Sequence, residues 1–325
     1  MLTDRLRTSA LLIVAVSILL FLDLRFPLPA ETGGVWLLPL LLFFAIGTAR
    51  DVAQMLEPSL GPIDRGGIYG ATSIITLSAA TPLAWGVVAG SYPDDCPVGR
   101  VGWIAIGAGL GTVGILVREM FRFGRPDRGP AETQLKRLAA GLFVAHYVSI
   151  PMALLVAIRG LGTTPEWGVA ALVSTIAITK SGDAGAYAVG KLWGRRKLIP
   201  WLSPGKTWEG AIGGVIASTI VALICFHVSA FPTGEFDTAT VGAEGEAAAT
   251  FRWPGADAAL GWALVVGPLL ASAGMLGDLA ESLIKRLAGV KDSGTWLPGL
   301  GGVWDVTDSL LVAVIPAFLC FAALA

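Results

Sequence analysis

Four acidic residues near the carboxyl-terminal end are spaced so that their carboxylates can converge. Asp278 and Glu281 are three residues apart in a helical pattern, and Asp305 and Asp308 repeat that spacing at the start of the last apolar run. Residues three or four apart share a helix face. Carboxylates beside an apolar run must be paired, protonated or bound to a cation, and Mg²⁺ prefers such oxygen ligands. The spacing indicates a divalent cation site, with a structural network of salt bridges to nearby lysines and arginines as the alternative.

A second polar stretch, residues 203–214, indicates a phosphate site. It places Ser203, Lys206 and Thr207 at the predicted start of a helix. Free N–H groups at a helix N-terminus attract anions, and a lysine adds a full positive charge. The Gly-Lys-Thr sequence is not a Walker P-loop, because that motif needs a glycine at the position of Pro200. The alternative is a helix cap made by Ser203 or Thr207.

A third stretch, residues 180–197, places Asp183 at the end of an apolar run among several glycines. These glycines also fit close packing between helices without any chemistry. The two histidines, His146 and His227, lie inside apolar runs, where contacts between helices are the simpler interpretation. Acids for a cation and a lysine for phosphate fit phosphoryl or nucleotidyl transfer, because in that chemistry the protein positions phosphates while a metal neutralises charge.

The composition specifies the kind of fold that must position these residues. Of the 325 residues, 54% are apolar and only 14% are charged, against about 25% in soluble domains. The net charge of −1 gives no field that would attract nucleic acid. Three cysteines cannot make a disulfide framework. The sequence therefore predicts an all-α, polytopic membrane helix bundle and excludes a soluble enzyme or a nucleic-acid binder.

A membrane span needs about 20 mostly apolar residues. We predict nine spans, of which the second and the sixth are short: Ala10–Leu22, Val35–Thr48, Ile68–Ala89, Val101–Val117, Ala139–Ile158, Trp167–Thr179, Ala211–Phe231, Ala258–Leu276 and Val303–Leu324. Arg5 and Arg7 precede the first span, but Asp23, Leu24 and Arg25 follow it instead of a small-residue cleavage site. We therefore expect a retained anchor and not a signal peptide.

Positive charge predicts the orientation of these spans. With a cytoplasmic N-terminus, nineteen of the 23 Lys and Arg residues fall on the cytoplasmic side, and the other four are Arg25, Arg100, Arg159 and Arg252. All three polar stretches then face the cytoplasm. We divide the chain into N-terminal spans, residues 1–137, and a carboxyl-terminal catalytic region, residues 138–325. Residues 232–257 read as a flexible external connection.

At these motifs the sequence resembles the phosphatidate cytidylyltransferases, also called CDP-diacylglycerol synthases. Residues 203–214 resemble the family's Ser-Pro-x-Lys-Thr-x-Glu-Gly-x-x-Gly-Gly segment, and Asp183, Ala186, Tyr187 and Gly190 resemble its Asp-x-x-Ala-Tyr-x-x-Gly segment. The family signature is matched without a gap by Ser282, Ile284, Lys285, Arg286, Lys291, Asp292, Gly294, Leu297, Pro298, Gly301, Gly302, Val303, Asp305 and Asp308. The motifs cover residues 180–310, and the N-terminal half is similar only in being a set of spans.

The resemblance implies a nucleotidyltransferase that makes CDP-diacylglycerol and pyrophosphate from CTP and phosphatidic acid. It implies a bacterial inner-membrane protein whose active site faces the cytoplasm, with Mg²⁺ and room for a second, monovalent cation such as K⁺. Some members of the family form homodimers. On this basis we predict Asp278 and Asp305 as the principal metal ligands and Asp308 as a third ligand or supporting acid.

The remaining predicted site residues handle phosphate. Lys206, with Ser203 and Thr207, would hold a phosphate group. The charge of the triphosphate or the lipid phosphate would be neutralised by Lys285, Arg286 and Lys291. Asp183 and Asp292 are predicted as supporting polar residues.

Two positions depart from the family signature. Leu300 stands where a histidine is usual, and Val306 stands where an arginine is usual. The acids are retained, so cation binding should survive, but a fixed positive charge is lost. The sequence therefore leaves open another lipid acceptor, such as an isoprenoid ether lipid phosphate, or a polyprenol in a CTP-dependent kinase. An ion-coupled transporter that uses the acids as its cation site is the alternative from another class.

Overall fold

The computed structural model describes residues 2–28, 33–90, 92–93, 95–125, 129–162, 164–228, 256–290, 293–294 and 296–325. Helices make up almost all of this part. They are α1 (Leu2–Arg25), a 3₁₀ turn (Val35–Leu37), α2 (Leu38–Leu60), α3 (Arg65–Ser78), α4 (Thr81–Ala89), α5 (Gly99–Met120), α6 (Ala131–Arg159), α7 (Pro165–Trp193), α8 (Trp208–Val228), α9 (Ala256–Leu287) and α10 (Trp304–Ala322). Strands β1 (Lys197–Ile199) and β2 (Ser203–Thr207) lie between α7 and α8.

Among the described residues, seven helices are long and apolar enough to cross a membrane: α1, α2, α5, α6, α8, α9 and α10. Helices α3 and α4 qualify only together, with a bend of 59° at a short break, which raises the number to eight. Helix α7, which contains the predicted sixth span, is not in this set. The chain is an integral membrane protein with helical spans, and the total of nine stays a prediction. The predicted external connection, residues 232–257, lies almost wholly outside the described residues.

An antiparallel hairpin of β1 and β2 is an addition to the predicted all-α fold. Lys197 pairs with Thr207, and Ile199 pairs with Ser203. The segment predicted to open a helix is therefore a strand, and α8 begins directly after it. Thr207 still closes the first turn of α8, because its Oγ1 accepts a hydrogen bond of 3.1 Å from the N–H of Gly210. The predicted helix cap at Thr207 is confirmed.

Small residues allow α7 and α8 to lie in close contact, as the glycines of residues 180–197 indicated. A Cβ at Gly185 would overlap the side chain of Ala217, and a Cβ at Gly214 would lie 2.8 Å from the carbonyl oxygen of Gly182. In a membrane, such small residues allow helix backbones to pack directly against each other. This contact fixes the end of α7 against the hairpin and the start of α8.

The two halves of the chain share one core. A single cluster of buried apolar residues draws on α2, α6, α7, α9 and α10. The predicted boundary between residues 137 and 138 falls inside α6. His146 on α6 contacts another helix, as expected, because its Nε2 lies 3.1 Å from Thr112 Oγ1 on α5. Its Nδ1 lies 2.8 Å from the carbonyl oxygen of Leu142 on α6 itself.

A buried ion pair joins the ends of α1 and α6. The guanidinium of Arg159 contacts Asp23 Oδ2 through Nε at 2.7 Å and Nη2 at 2.6 Å, and both side chains are at most 1% exposed. The other oxygen of Asp23 accepts a hydrogen bond of 2.8 Å from the N–H of Gly34. Separating such a pair is costly, because it leaves an unpaired buried charge.

A second ion-pair cluster links α5 to the turn before α3. Arg118 and Arg122 at the end of α5 lie 2.8 and 2.7 Å from the carboxylate of Asp64. Burial alone would raise the pKa of Asp64, but hydrogen bonding to Arg118 and the nearby positive charges outweigh it and lower the pKa to about 2. Arg118 and Arg122 are therefore bound to another segment of the protein.

Candidate functional site

Three carboxylates from α9 and α10 converge at the start of α10. One oxygen of each of Asp278, Glu281 and Asp308 lies within 4.8 Å of the others. Glu281 and Asp308 are buried, at 5% and 7% exposed, whereas Asp278 is partly open. The structure thus brings together two of the three predicted metal ligands and adds Glu281, which shares the face of α9 that carries Asp278.

Gly277 allows α9 and α10 to meet beside this acid cluster. A Cβ at Gly277 would overlap the backbone carbonyl of Asp308 and would lie 2.9 Å from the Cα of Ser309. Gly277 directly precedes Asp278, so the closest approach of the two helices is at the cluster itself. Any larger residue would force α10 outward and carry Asp308 away from Asp278.

Each acid of the cluster has a lysine partner. The pairs, measured from lysine Nζ to the nearest carboxylate oxygen, are Lys206–Asp278 at 2.9 Å, Lys285–Glu281 at 2.7 Å and Lys180–Asp308 at 3.6 Å. The lysines come from β2, α9 and α7, so three separate elements deliver positive charge to one point. These lysines offset the charge of three acids that burial would otherwise make costly.

Asp305 lies beside the cluster and is joined to it by a lysine. Lys285 Nζ is 2.6 Å from Asp305 Oδ1 and also contacts Glu281. The other oxygen, Oδ2, accepts a hydrogen bond of 2.6 Å from the N–H of Gly302. Gly301 before it has a φ of +99° and would place any Cβ on this carboxylate. The predicted role of Asp305 as a principal metal ligand stays a prediction.

A polar network extends from Asp308 to α7. Lys180 Nζ lies 2.7 Å from Ser309 Oγ and 3.3 Å from Asp183 Oδ2. Ser309 donates a hydrogen bond of 2.8 Å to the same oxygen of Asp183. Asp183 therefore supports Lys180, which faces the acid cluster.

A cavity of about 330 Å³ opens between α7, the hairpin, α8 and α9. Five glycines line it: Gly182, Gly190, Gly205, Gly210 and Gly214. A Cβ at Gly205 would meet nothing within 4 Å, whereas the other four glycines allow the surrounding elements to pack closely. Its polar lining includes Asp183, Lys191, Lys206, Thr207 and Asp278. Because Asp278 belongs to both the lining and the acid cluster, a ligand in the cavity can reach a carboxylate of the cluster.

Glu209 fixes the hairpin to α8. Its carboxylate accepts hydrogen bonds from the backbone N–H groups of Arg195 at 3.0 Å and Arg196 at 3.1 Å. Lys206 is oriented as well, since its Nζ also lies 3.3 Å from the carbonyl oxygen of Met275. The hairpin that carries Lys206 is thus held by Glu209, and the amino group of Lys206 is held by Met275.

Two predicted residues stand apart from this arrangement, and two more lie outside the described residues. Ser203 pairs with Ile199 in the hairpin and is not part of the cavity lining as the described residues form it. Arg286 is exposed on α9. Lys291 and Asp292 lie outside the described residues.

Sequence reasoning grouped Glu281 with the converging acids but did not name it as a metal ligand, and it assigned no role to Lys180 or Glu209. The signal for Glu281 is its spacing of three residues from Asp278 on a shared face. Lys180 is three residues from Asp183, which is also one helical step. Glu209 contacts residues 13 and 14 positions earlier through a hairpin that the pattern did not reveal.

The donors fit a hard divalent cation. Three carboxylates from two helices converge, two of them are buried, and a cavity opens at the third. Mg²⁺ typically keeps one or two protein carboxylates and completes its shell with water and substrate phosphate. Asp278, Glu281 and Asp308 offer these oxygens, and Lys206 lies 2.9 Å from one of them, Asp278.

The fold and the site define a polytopic membrane protein in which cation donors meet a lysine-bearing, glycine-walled cavity. The chain matches the model described as the cytidylyltransferase family over residues 4–324 and belongs to that family. The match includes the N-terminal spans as well as the region of the motifs.

Individual relatives agree with this membership. A phosphatidate cytidylyltransferase of Haemophilus influenzae is 37% identical over 157 residues, 48% of this chain and 47% of the relative. Proteins with the same name from Brucella suis and Bacillus subtilis are 36% identical over 182 residues and 34% identical over 177 residues, covering 56% and 54% of this chain and 55% of each relative. The chain therefore spans about half the length of the curated relatives it matches.

Proposed function

We propose that the protein transfers a cytidylyl group from CTP to phosphatidic acid, giving CDP-diacylglycerol and pyrophosphate. Membership of the cytidylyltransferase family supports the group transferred, and the names of the relatives support the acceptor. The observation that carries the proposal is the contact of the lysine-bearing cavity with the acid cluster through Lys206 and Asp278. Family membership also favours an enzyme over an ion-coupled transporter.

The reaction replaces one P–O bond by another. An oxygen of the lipid phosphate attacks the α-phosphorus of CTP, and the bond from that phosphorus to the oxygen bridging to the β-phosphate breaks. Pyrophosphate leaves with the electron pair. The protein needs no covalent intermediate, so its residues act by holding the reacting groups in line and by offsetting their charge.

Different lysines hold different parts of the substrates. Lys206 and the first turn of α8 bind phosphate in the cavity, with Thr207 closing that turn. Lys285 and Lys180 approach the reacting phosphates from α9 and α7 through the acid cluster. Gly205 leaves open space beside Lys206 for a ligand. One substrate enters from the bilayer, while CTP enters from the water.

Asp278, Glu281 and Asp308 would hold Mg²⁺, with Asp305 adjacent through Lys285 as a further ligand or support. When bound, Mg²⁺ neutralises charge on the phosphates of CTP and on the leaving pyrophosphate. A second, monovalent cation such as K⁺ belongs to the same proposal, with the carboxylate of Asp305, which is paired with Lys285, as its candidate donor.

We place the site at the cytoplasmic face of a bacterial inner membrane, with a cytoplasmic N-terminus and nine spans. The distribution of nineteen of 23 basic residues supports this orientation. Nine spans result if α3 and α4 together count as one and α7 crosses as well. A homodimer is compatible with the reaction and is not required by it.

The test is pyrophosphate release by the purified, detergent-solubilised full chain with CTP, Mg²⁺ and phosphatidic acid, each omitted in turn. We expect release only with all three, CDP-diacylglycerol as the lipid product, and loss of turnover in folded Asp308→Asn. Release without lipid, or full activity of that variant, would contradict the proposal. If the protein prefers an ether lipid phosphate to phosphatidic acid, the acceptor in the proposal is wrong and the ether lipid replaces it. Formation of CDP and a phosphorylated polyprenol would identify a kinase.

A further inference from the structure

Asp51 is a buried carboxylate of the N-terminal half to which the proposed reaction gives no role. It lies on α2, and its side chain is fully buried. Its Oδ2 accepts hydrogen bonds from the backbone N–H groups of Val303, at 2.5 Å, and Trp304, at 3.2 Å. Asp51 thus joins two segments that are about 250 residues apart in the sequence.

These two N–H groups are at the beginning of α10. The first N–H groups of a helix have no partner within it, and the valine at the N-cap has no side-chain acceptor to offer. A negative charge at this end is also favourable with respect to the helix dipole. Asp51 therefore caps α10 from another helix.

A second contact holds the same turn of α10 against α2. Thr48 Oγ1 lies 2.8 Å from Thr307 Oγ1, one turn after the capped residues. Gly47 packs directly on Val303, since a Cβ there would lie 2.8 Å from its side chain. Residues 47, 48 and 51 share one face of α2. Their contacts fix the position of α10 along its axis and its rotation about that axis.

The turn between α9 and α10 also closes on Asp51. A Cβ at Gly302 would lie 2.6 Å from Asp51 Oδ2, and a Cβ at Gly294 would lie 2.8 Å from Oδ1. The carboxylate therefore occupies a space that these two glycines leave open. Its position is defined on one side by α10 and on the other by this turn.

We propose that Asp51 is a positioning residue of the candidate cation site, acting through α10. Asp308 is four residues after Trp304 and follows Thr307 directly. The position and rotation of the first turn of α10 therefore set the distance from Asp308 to Asp278 and Glu281. Asp305 on the first turn is placed by the same contacts. The inference rests on the proposed function, because it assumes that these acids bind a divalent cation.

The test measures cation binding apart from turnover. Mn²⁺ binding to the purified full chain, without nucleotide, is followed by electron paramagnetic resonance for wild type, Asp51→Ala, Asp51→Asn and Asp23→Asn. Asp51→Asn keeps an acceptor oxygen for the two N–H groups. Asp23→Asn is the matched control, because Asp23 is an equally buried acid of the N-terminal half whose described partners are Arg159 and Gly34.

We expect Asp51→Ala to weaken Mn²⁺ binding about tenfold or more. This is the loss of affinity that is typical when a residue supporting a metal ligand is removed. Asp51→Asn should recover most of the affinity, and the same order should appear in kcat with the KM for CTP nearly unchanged. Asp23→Asn should lower the unfolding temperature and leave Mn²⁺ affinity as in wild type. A purely structural Asp51 would behave like this control.

Wild-type affinity for Mn²⁺ in folded Asp51→Ala would overturn the inference and leave the proposed function standing, provided that wild type binds Mn²⁺ and releases pyrophosphate. Equal losses in Asp51→Ala and Asp23→Asn would overturn it as well, because they would reflect general loosening. A wild-type chain that neither binds Mn²⁺ nor releases pyrophosphate would overturn both the inference and the proposed function.

Discussion

Lys206 and Asp278 form an ion pair of 2.9 Å between strand β2 and helix α9, at the boundary of the cavity and the acid cluster. The pair places the lysine proposed to bind phosphate in direct contact with a carboxylate proposed to bind the cation. Under the proposed function, a divalent cation and Lys206 compete for this carboxylate, and a phosphate bound to the lysine would relieve the competition. The contact would then couple binding of the nucleotide to binding of the cation.

Replacing Lys206 with Met should have opposite effects on the two ligands. Without nucleotide, Mn²⁺ should bind at least as tightly as in wild type, because Asp278 loses a competitor. The KM for CTP should rise about tenfold or more, since a hydrogen bond to a charged group contributes about 1.5–3 kcal/mol. Electron paramagnetic resonance and steady-state kinetics on the same preparations measure both.

Lys191→Met is the control for this experiment. Lys191 also lines the cavity, but its Nζ lies over the ring of Tyr187, 5.6 Å from the centroid. Its loss should leave the affinity for Mn²⁺ alone unchanged. Weaker Mn²⁺ binding in Lys206→Met than in Lys191→Met would rule out the competition.

Glu281→Gln should raise the Mg²⁺ concentration needed for half-maximal activity by about tenfold or more, because an uncharged amide oxygen replaces a buried carboxylate. A Mg²⁺ titration of the initial rate measures this. Glu132→Gln is the comparison, because Glu132 is 78% exposed and pairs with Lys136 on the surface of α6. If the two variants respond to Mg²⁺ alike, Glu281 is not a ligand.

Gly277→Ala should reduce turnover more than tenfold and lower stability by about 1–3 kcal/mol, the usual cost of overpacking. The added methyl group collides with the backbone of Asp308 and separates α9 from α10 at the acid cluster. Thermal unfolding measures the loss of stability, and pyrophosphate release by the same preparation measures the loss of turnover.

Gly261→Ala on the same helix is the matched control, since a Cβ there meets nothing within 4 Å. Alanine also favours a helix over glycine. This variant should be as active as wild type and at least as stable. Normal activity of Gly277→Ala would show that the closest contact of α9 and α10 does not set the geometry of the acids.

Asp23→Asn and Arg159→Met should each destabilise the protein by about 3–5 kcal/mol, because each leaves a buried charge without its partner. The double variant Asp23→Leu with Arg159→Met should recover most of this loss, since it removes both charges. Unfolding in denaturant measures the differences. Activity per folded molecule should not change. A loss of unfolding free energy in the double variant equal to the sum of the losses in the two single variants would contradict a simple ion pair.

Much of the site could be predicted because its residues follow local rules. Asp278 and Glu281 are one helical step apart, and Thr207 caps the helix that follows it. Asp308 could be placed near them because a connection rich in glycine and proline, residues 288–303, joins α9 to α10. Regular spacing along a helix makes such relationships visible in a sequence.

The rest depends on contacts between distant segments. Thr48 ends the predicted second span and Asp51 follows it, and the role that we propose for Asp51 depends on the packing of α2 on α10. The hairpin was missed because three-residue and five-residue strands show too little alternation to predict. Lys206, for which phosphate binding stays a prediction, is presented by a strand instead of a helix terminus.

The pair of Asp23 and Arg159 has a consequence for how the protein is made. Asp23 leaves the ribosome 136 residues before Arg159, which is roughly 7–27 s at about 5–20 residues per second. Only 6% of the apolar stretch of α1 is buried, so little else holds this helix to the bundle. Helix α1 is therefore synthesised before α6, and its ion pair with α6 forms only after α6 has been inserted. Until then Asp23 lacks its guanidinium partner and must stay hydrated at the membrane surface or be protonated.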